Sequence, residues 1–98
     1  MAEGTVRIDL WLFFARLCKS RSLAARMCAE GLVTIDGEPA LRASRSVGPG
    51  AVVAVELGRL VRRVRVTAPG RRRGPAPEAR LLYEDLGTVP RDDDAPLS

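Results

Sequence analysis

A chain of 98 residues with sixteen Lys+Arg against twelve Asp+Glu, a net charge of +4 and a pI near 10.0 is the size of one small domain. Such a domain buries only about 60–65% of its unfolded surface, which leaves little material for a deep catalytic cleft. Histidine is absent, so the usual general base and the commonest metal ligand are missing, and a surface-presenting binding module is expected rather than an enzyme.

Residues 1–6 read as a flexible lead. From Arg7 to about Leu17, Ile8, Trp11, Leu12, Ala15 and Cys18 follow helical spacing, with Leu10, Phe14 and Leu17 as a second apolar stripe. A helix so apolar is either sandwiched in the core or offered to a partner. Lys19-Ser20-Arg21-Ser22 interrupts the pattern. Ser20 or Ser22 suits the N-cap of a second helix running to about Glu30, and Gly31 is the left-handed stop.

Leu32 to Ile35 reads as a strand closed by the Asp36-Gly37 turn. Gly48-Pro49-Gly50 marks another turn, and Ala51–Leu57 and Arg59–Val66 form two further strands around Gly58. Thr67 to Pro77 is a basic, Pro/Gly-rich linker. Residues 78–86 have the spacing of a short C-terminal helix, with Leu82 and Tyr83 facing the body, and residues 87–98 read as a disordered acidic tail. The expected fold class is α+β: two N-terminal helices on a small, mostly antiparallel sheet, plus a short C-terminal helix and the tail.

Cys18 and Cys28 lie ten apart without a CxxC pair, too few soft ligands for zinc, so no metal and no cofactor is expected. Both read as small buried hydrophobes of a reduced compartment rather than a disulfide. The apolar run Leu10–Cys18 is too short to span a bilayer and nothing resembles a secretory leader, so a soluble, cytoplasmic protein is expected. The acids Asp9, Glu30, Asp36, Glu38 and Glu56 have no catalytic pairing. Asp9 is expected to pair with Arg7 or Arg16, or to cap backbone.

Fifteen of the sixteen basic residues are arginines, whose planar fork suits phosphate. A GC-rich genome also enriches arginine, so position carries the argument. Arg7, Arg16, Lys19, Arg21 and Arg26, with Ser20 and Ser22, surround the start of the second helix, where unpaired N–H groups and the helix dipole favour an anion. Arg42, Ser44 and Arg45 extend this track if the sheet folds back on the helices. On the last strand Arg63 and Arg65 share one face and Arg62 points to the other. Those two and Arg71, Arg72 and Arg73 of the linker are possible additional contacts. A solvated basic surface is the competing explanation for each group.

The run Arg7-Ile-Asp-Leu-Trp-Leu-Phe-Phe-Ala-Arg-Leu-Cys-Lys-Ser-Arg-Ser-Leu-Ala24, then Gly31-x-Val33-x-Ile35-x-Gly37 and Ser44-Arg45-x-Val47-x-x-Gly50, resembles the S-four-type RNA-binding domain, the alpha-L motif. The first run, with Arg72-Arg73-Gly-Pro-Ala-Pro-Glu-Ala-x-Leu-Leu-Tyr-Glu84, is similar to the heat-shock protein fifteen group, whose relatives include the quality-control factor RqcP. The likeness covers residues 7 to about 86, with the domain proper at 7–66.

It implies a non-enzymatic, ribosome-associated quality-control factor. Its partners would be large-subunit rRNA, peptidyl-tRNA, a dissociated large ribosomal subunit and a tail-elongation factor, with no membrane and a monomeric state. The pattern departs at Leu10, where a basic residue is common, at the Gly37–Ser44 loop, one residue longer than usual, and at the acidic, short C-terminal end. The competing classes are a helix-turn-helix DNA regulator and a separate RNA-binding subunit of an RNA-modifying enzyme.

Overall fold

In the computed structural model, which describes residues 4–91, sixteen apolar side chains, twelve of them from two helices and three central strands, meet in one core that includes Ile8, Trp11, Leu12, Ala24, Cys28, Val33, Val53 and Val64. The chain order is β1 (Val6–Arg7), α1 (Ile8–Phe14), α2 (Arg21–Ala29), β2 (Val33–Ile35), β3 (Glu38–Pro39), β4 (Ser46–Val47), β5 (Val52–Leu57), β6 (Leu60–Val66), α3 (Ala76–Ala79), a 3-10 turn (Arg80–Leu82) and β7 (Tyr83–Pro90). The fold is α+β, as the sequence indicates. Its strands form an antiparallel pair β1-β4 and an antiparallel sheet ordered β3-β2-β5-β6-β7.

Alternation in the strands selects one sheet face for the core. Val33, Ile35, Val53, Val55, Val64 and Val66 are buried, while Arg63 and Arg65 lie on the exposed face opposite Ala54 and Val52. The Asp36-Gly37 turn joins β2 to β3 with both residues at positive φ (52° and 87°), the geometry that matches strand twist. Gly31 takes the left-handed position that ends α2 (φ 78°), and the Leu32 amide reaches back to the Met27 carbonyl at 2.9 Å.

Four boundaries differ from expectation. The lead contains β1, because Val6 and Arg7 pair with Val47 and Ser46. α1 stops at Phe14 rather than Leu17: Arg16 adopts φ 61°, and the Leu17 and Cys18 amides both fold back onto the Leu12 carbonyl. The 67–77 segment is irregular but far from loose. Trp11 Nε1 donates to the Ala68 carbonyl (3.0 Å), Thr67 Oγ1 to Leu81 (2.7 Å), Arg16 Nε to Gly74 (2.7 Å), and Arg73 Nε to Phe13 (3.1 Å).

The fourth difference is the helix expected over 78–86. Helical structure covers Ala76–Leu82 only, and Tyr83–Pro90 forms the outer strand of the sheet, so 87–90 is strand rather than tail. The spacing of Leu82, Tyr83 and Leu86 fits a helix locally, but seven residues of β6 offer a ladder to pair with, and tertiary hydrogen bonds override the local pattern. A bulge between Arg63 and Val64 breaks the alternation that would have marked the strand. The remainder of the expected tail, residues 92–98, and residues 1–3 lie outside the described residues.

Both cysteines are free and buried, and Cys18 Sγ sits 3.7 Å from Met27 Sδ. Burial, reinforced by neighbouring Cys28, pushes the Cys18 thiol up to about 11 from 9.0. Below pH 9 both folded and unfolded thiols are protonated. Between pH 9 and about 11 the unfolded chain releases this proton while the folded chain holds it, so Cys18 then costs stability. The Cys18→Ala variant is expected to show a smaller fall in urea midpoint between pH 8.5 and 10.5 than the parent; equal falls would show that this thiol stays unperturbed.

Candidate nucleic-acid interface

The first turn of α1 places Asp9 where its carboxylate is only 4% exposed, yet three donors reach it. Arg7 binds it with two parallel bonds of 3.1 Å, from Nε to Oδ1 and Nη2 to Oδ2. Arg21 Nη2 approaches Oδ2 at 3.4 Å from α2, and the Leu10 amide donates to Oδ1 at 2.8 Å. The partners are thus Arg7 and Arg21, not Arg16. Both arginine side chains remain about half exposed (47% and 49%) while bonded to this carboxylate.

α2 begins beside this cluster. Ser20 is the N-cap: its Oγ accepts from the Leu23 amide at 3.0 Å, which engages that hydroxyl in the helix itself. No acidic residue occupies the first turn of α2 to neutralise the positive helix end. Arg21, Ser22 and Ala25 line a hollow with Asp9, and Arg26, four residues after Ser22, lies on the same exposed face. Lys19 is exposed just before the cap. Among the described residues, Lys19 and Arg26 carry no ion pair.

The loop after β3 closes on the same end of the molecule. Its carbonyls satisfy the start of α1: the Ile8 amide donates to Arg45 at 2.7 Å and the Asp9 amide to Ala43 at 3.3 Å. Pairing of β1 with β4 fixes Ser46 opposite Arg7, one residue from Arg45. Arg42, Ser44 and Arg45 are exposed and line one hollow with the exposed Leu41, so the longer loop keeps Arg42 beside Arg45.

The structure therefore brings Arg7, Lys19, Arg21, Ser22, Arg42, Ser44 and Arg45 to one end, around the N-termini of α1 and α2, while Arg26 stands further along α2, in its last turn. It separates Arg16, which leaves the far end of α1 and bonds to Gly74. The additional candidates are divided. Arg65 pairs with Glu84 at 2.8 Å, Arg72 with both oxygens of Glu78 at 2.9 and 3.0 Å, and Arg73 stacks 4.9 Å from the Phe13 ring centre. Arg63 and Arg71 are exposed. Asp9, whose spacing from Arg7 was legible, proves to be the organiser of the cluster; its pairing to Arg21, twelve residues on, has no local signature. No group of three or more His, Cys, Asp or Glu side chains that could hold a metal occurs among the described residues.

A family model of the S4 domain matches residues 6–53, the segment from β1 through the helices and the loop to β5. A solved structure of Vibrio cholerae heat shock protein 15, described as trimeric, superposes with a TM-score of 0.77 at 37% identity, covering 83% of this chain and 81% of that one. The chain belongs to the heat shock protein 15 family of S4-domain proteins. It is 38% identical over 85 residues to a heat shock protein 15 homolog of Haemophilus influenzae, and 41% identical over 86 residues to one of Aeromonas salmonicida. The chain spans 64% of the length of each. It is also 40% identical to heat shock protein 15 of Escherichia coli K12, over 82% of this chain and 59% of that protein. The S4 match ends at residue 53, so in this heat shock protein 15 family member the strands β6 and β7 and the 67–77 strap follow the matched segment.

Removing the Asp9 carboxylate leaves two cations without their buried anchor and frees the Leu10 amide. With both arginines half exposed, solvent recovers part of the loss, so Asp9→Ala is expected to lower stability by about 1–3 kcal/mol in urea unfolding. The same variant should bind RNA more weakly than the parent despite its higher positive charge. An affinity rise following charge alone would show that Asp9 does not position the arginines.

Proposed function

We propose that this chain is a non-enzymatic RNA-binding protein that docks its helix-pair end on structured RNA of the large ribosomal subunit. The observation that carries the reading is the convergence of Arg7, Arg21, Arg42 and Arg45, from three separate segments, beside an α2 start that lacks a neutralising acid, with Arg26 exposed further along α2. Cationic forks held by a buried carboxylate offer phosphate a preorganised surface, and the S4 match covers the segments that supply them. Lys19, Ser22 and Ser44 add donors at the rim, and Ser20 contributes through the α2 cap.

The finer reading follows the family resemblance. We propose rRNA and peptidyl-tRNA on a dissociated, stalled large subunit as the targets, with the chain supporting a separate tail-elongation factor in ribosome-associated quality control in the cytoplasm. The reaction belongs to those partners. No helix among the described residues is long and apolar enough to cross a membrane, which is compatible with this setting. A single protomer supplies every group of the helix-pair site, so we take the monomer as the binding unit; the trimeric description of the Vibrio cholerae relative makes sedimentation velocity the check on that choice. Duplex DNA fits less well, because the exposed positions of α2 offer few base-reading side chains beyond Arg21 and Arg26.

With about five to seven phosphates neutralised, log affinity should fall with log salt at a total slope of roughly −4 to −6. Filter binding to purified bacterial large subunits from low to high salt measures it, and a flat series would rule the electrostatic basis out. Arg21→Ala is expected to weaken binding about tenfold, while Arg59→Ala, at the β5-β6 turn, should change it less than twofold. Preference for duplex DNA in competition would defeat the RNA reading.

A further inference from the structure

α1 carries arginines at both ends. Seven residues separate the two ends by about 10 Å, and the far end is the one the helix-pair site does not use. There Arg16, Arg62, Arg80 and Tyr83 line a hollow of about 230 Å³, whose other walls are Ala15, Ala76 and Ala79. The three arginines come from three elements: the turn after α1, strand β6 and the 3-10 turn after α3. The hollow contains no carboxylate in its lining.

Arg16 and Arg62 are each held by a neighbouring group, and no carboxylate lines the hollow to neutralise the three arginines from within. Arg16 is held in the left-handed region (φ 61°), a conformation disfavoured for a residue with a side chain, and its Nε is tied to the Gly74 carbonyl at 2.7 Å. That bond uses one of its five donors. Arg62 lies 5.4 Å from the centre of the Tyr83 ring and donates to its hydroxyl oxygen at 3.1 Å. Its one carboxylate neighbour, Asp85, stands 3.7 Å away and is 58% exposed, a contact that solvent screens. Arg80 is exposed and has no acidic partner among the described residues.

The contrast with the Asp9 cluster decides the chemistry. There a buried carboxylate offsets two arginines; here three arginines face one open space, and a bound anion would relieve their mutual repulsion. Guanidinium forks with a tyrosine hydroxyl suit a tetrahedral, multiply accepting group, and the alanine walls offer no slot for a base. We propose that Arg16, Arg62 and Arg80, with the Tyr83 hydroxyl, bind a backbone phosphate of a second RNA segment, so that the protein grips RNA at both ends of α1. This rests on the RNA-binding reading above and adds a site outside the S4 match, since Arg62, Arg80 and Tyr83 follow residue 53.

The test compares full-length Arg80→Gln, Tyr83→Phe, Arg21→Ala and the charge-matched control Arg59→Gln, each first checked for the parent's thermal melting profile. Arg80 anchors nothing internally among the described residues, so its variant should fold normally. Binding to purified bacterial large subunits should weaken about 3- to 10-fold for Arg80→Gln, with the salt slope reduced by roughly 0.7–0.9, and about 2-fold for Tyr83→Phe. Arg59→Gln should leave both unchanged.

If Arg80→Gln behaves like Arg59→Gln while Arg21→Ala still weakens binding, the second site is overturned and the helix-pair site stands. If neither Arg80→Gln nor Arg21→Ala has an effect, the RNA reading itself fails and takes this inference with it. Inorganic phosphate, titrated while the Arg80 and Tyr83 amide resonances are followed, separates the two phosphate sources: displacement of phosphate by RNA supports the proposal. Saturation by phosphate that RNA leaves undisturbed would make this a small-anion site and overturn it.

Discussion

The carboxylate of Asp9 is the constraint on which the helix-pair end depends. It sits in the first turn of α1, where the helix dipole favours a negative charge, and its two oxygens are shared among Arg7, Arg21 and the Leu10 amide. Because Arg7 belongs to β1 and Arg21 to α2, one buried side chain ties the start of the sheet pair to the start of the second helix. The loop carbonyls of Ala43 and Arg45 then close the remaining amides of α1. A flexible basic surface would lose side-chain entropy on meeting RNA; here part of that ordering is already done in the free protein.

The other end of α1 is organised by the opposite device, main-chain carbonyls that accept from arginine. Arg16 reaches Gly74 and Arg73 reaches Phe13, a reciprocal exchange between the helix end and the 67–77 strap. Trp11, fully buried, adds its indole bond to Ala68 and packs edge-on to Tyr83 at 6.4 Å between ring centres. Gly70 is the point of closest approach: a Cβ there would meet Leu82 at 2.9 Å and Phe14 at 3.3 Å, and its φ of 77° disfavours any side chain. The strap therefore holds β7 and α3 against α1, and the residues beyond the S4 match become part of the same packed body.

Much of this was legible in the sequence where local chemistry decides structure. Gly31, the Asp36-Gly37 turn, the Ser20 cap and the Gly58 turn each carry their own conformational signal, and helices and strands fall where those signals bracket apolar spacing. The resemblance likewise named the S4 domain, whose family model matches residues 6–53. What was not legible depends on contacts distant in the chain. β7 pairs residues 83–90 with β6, against a local pattern that favours helix; Arg21 meets Asp9 across a turn; and Arg16, Arg62 and Arg80 share a hollow that no spacing in the sequence foretells.

Ion pairing sorts the arginines in a way that net charge conceals. Residues 1–73 hold fourteen basic and six acidic residues, a net of +8, and residues 74–98 hold two and six, a net of −4. Glu78, Glu84 and Asp85 from the acidic segment fold back onto Arg72, Arg65 and Arg62. Their effect is to offset charge at these three positions, while Arg63 and Arg71 of the same regions stay exposed; around α2 the one buried acid among the described residues is Asp9. Exposed pairs of this kind add little stability. Their consequence is electrostatic: they offset Arg62, Arg65 and Arg72, whereas Lys19 and Arg26 of the helix pair and Arg42 and Arg45 of the loop beside it carry no ion pair among the described residues.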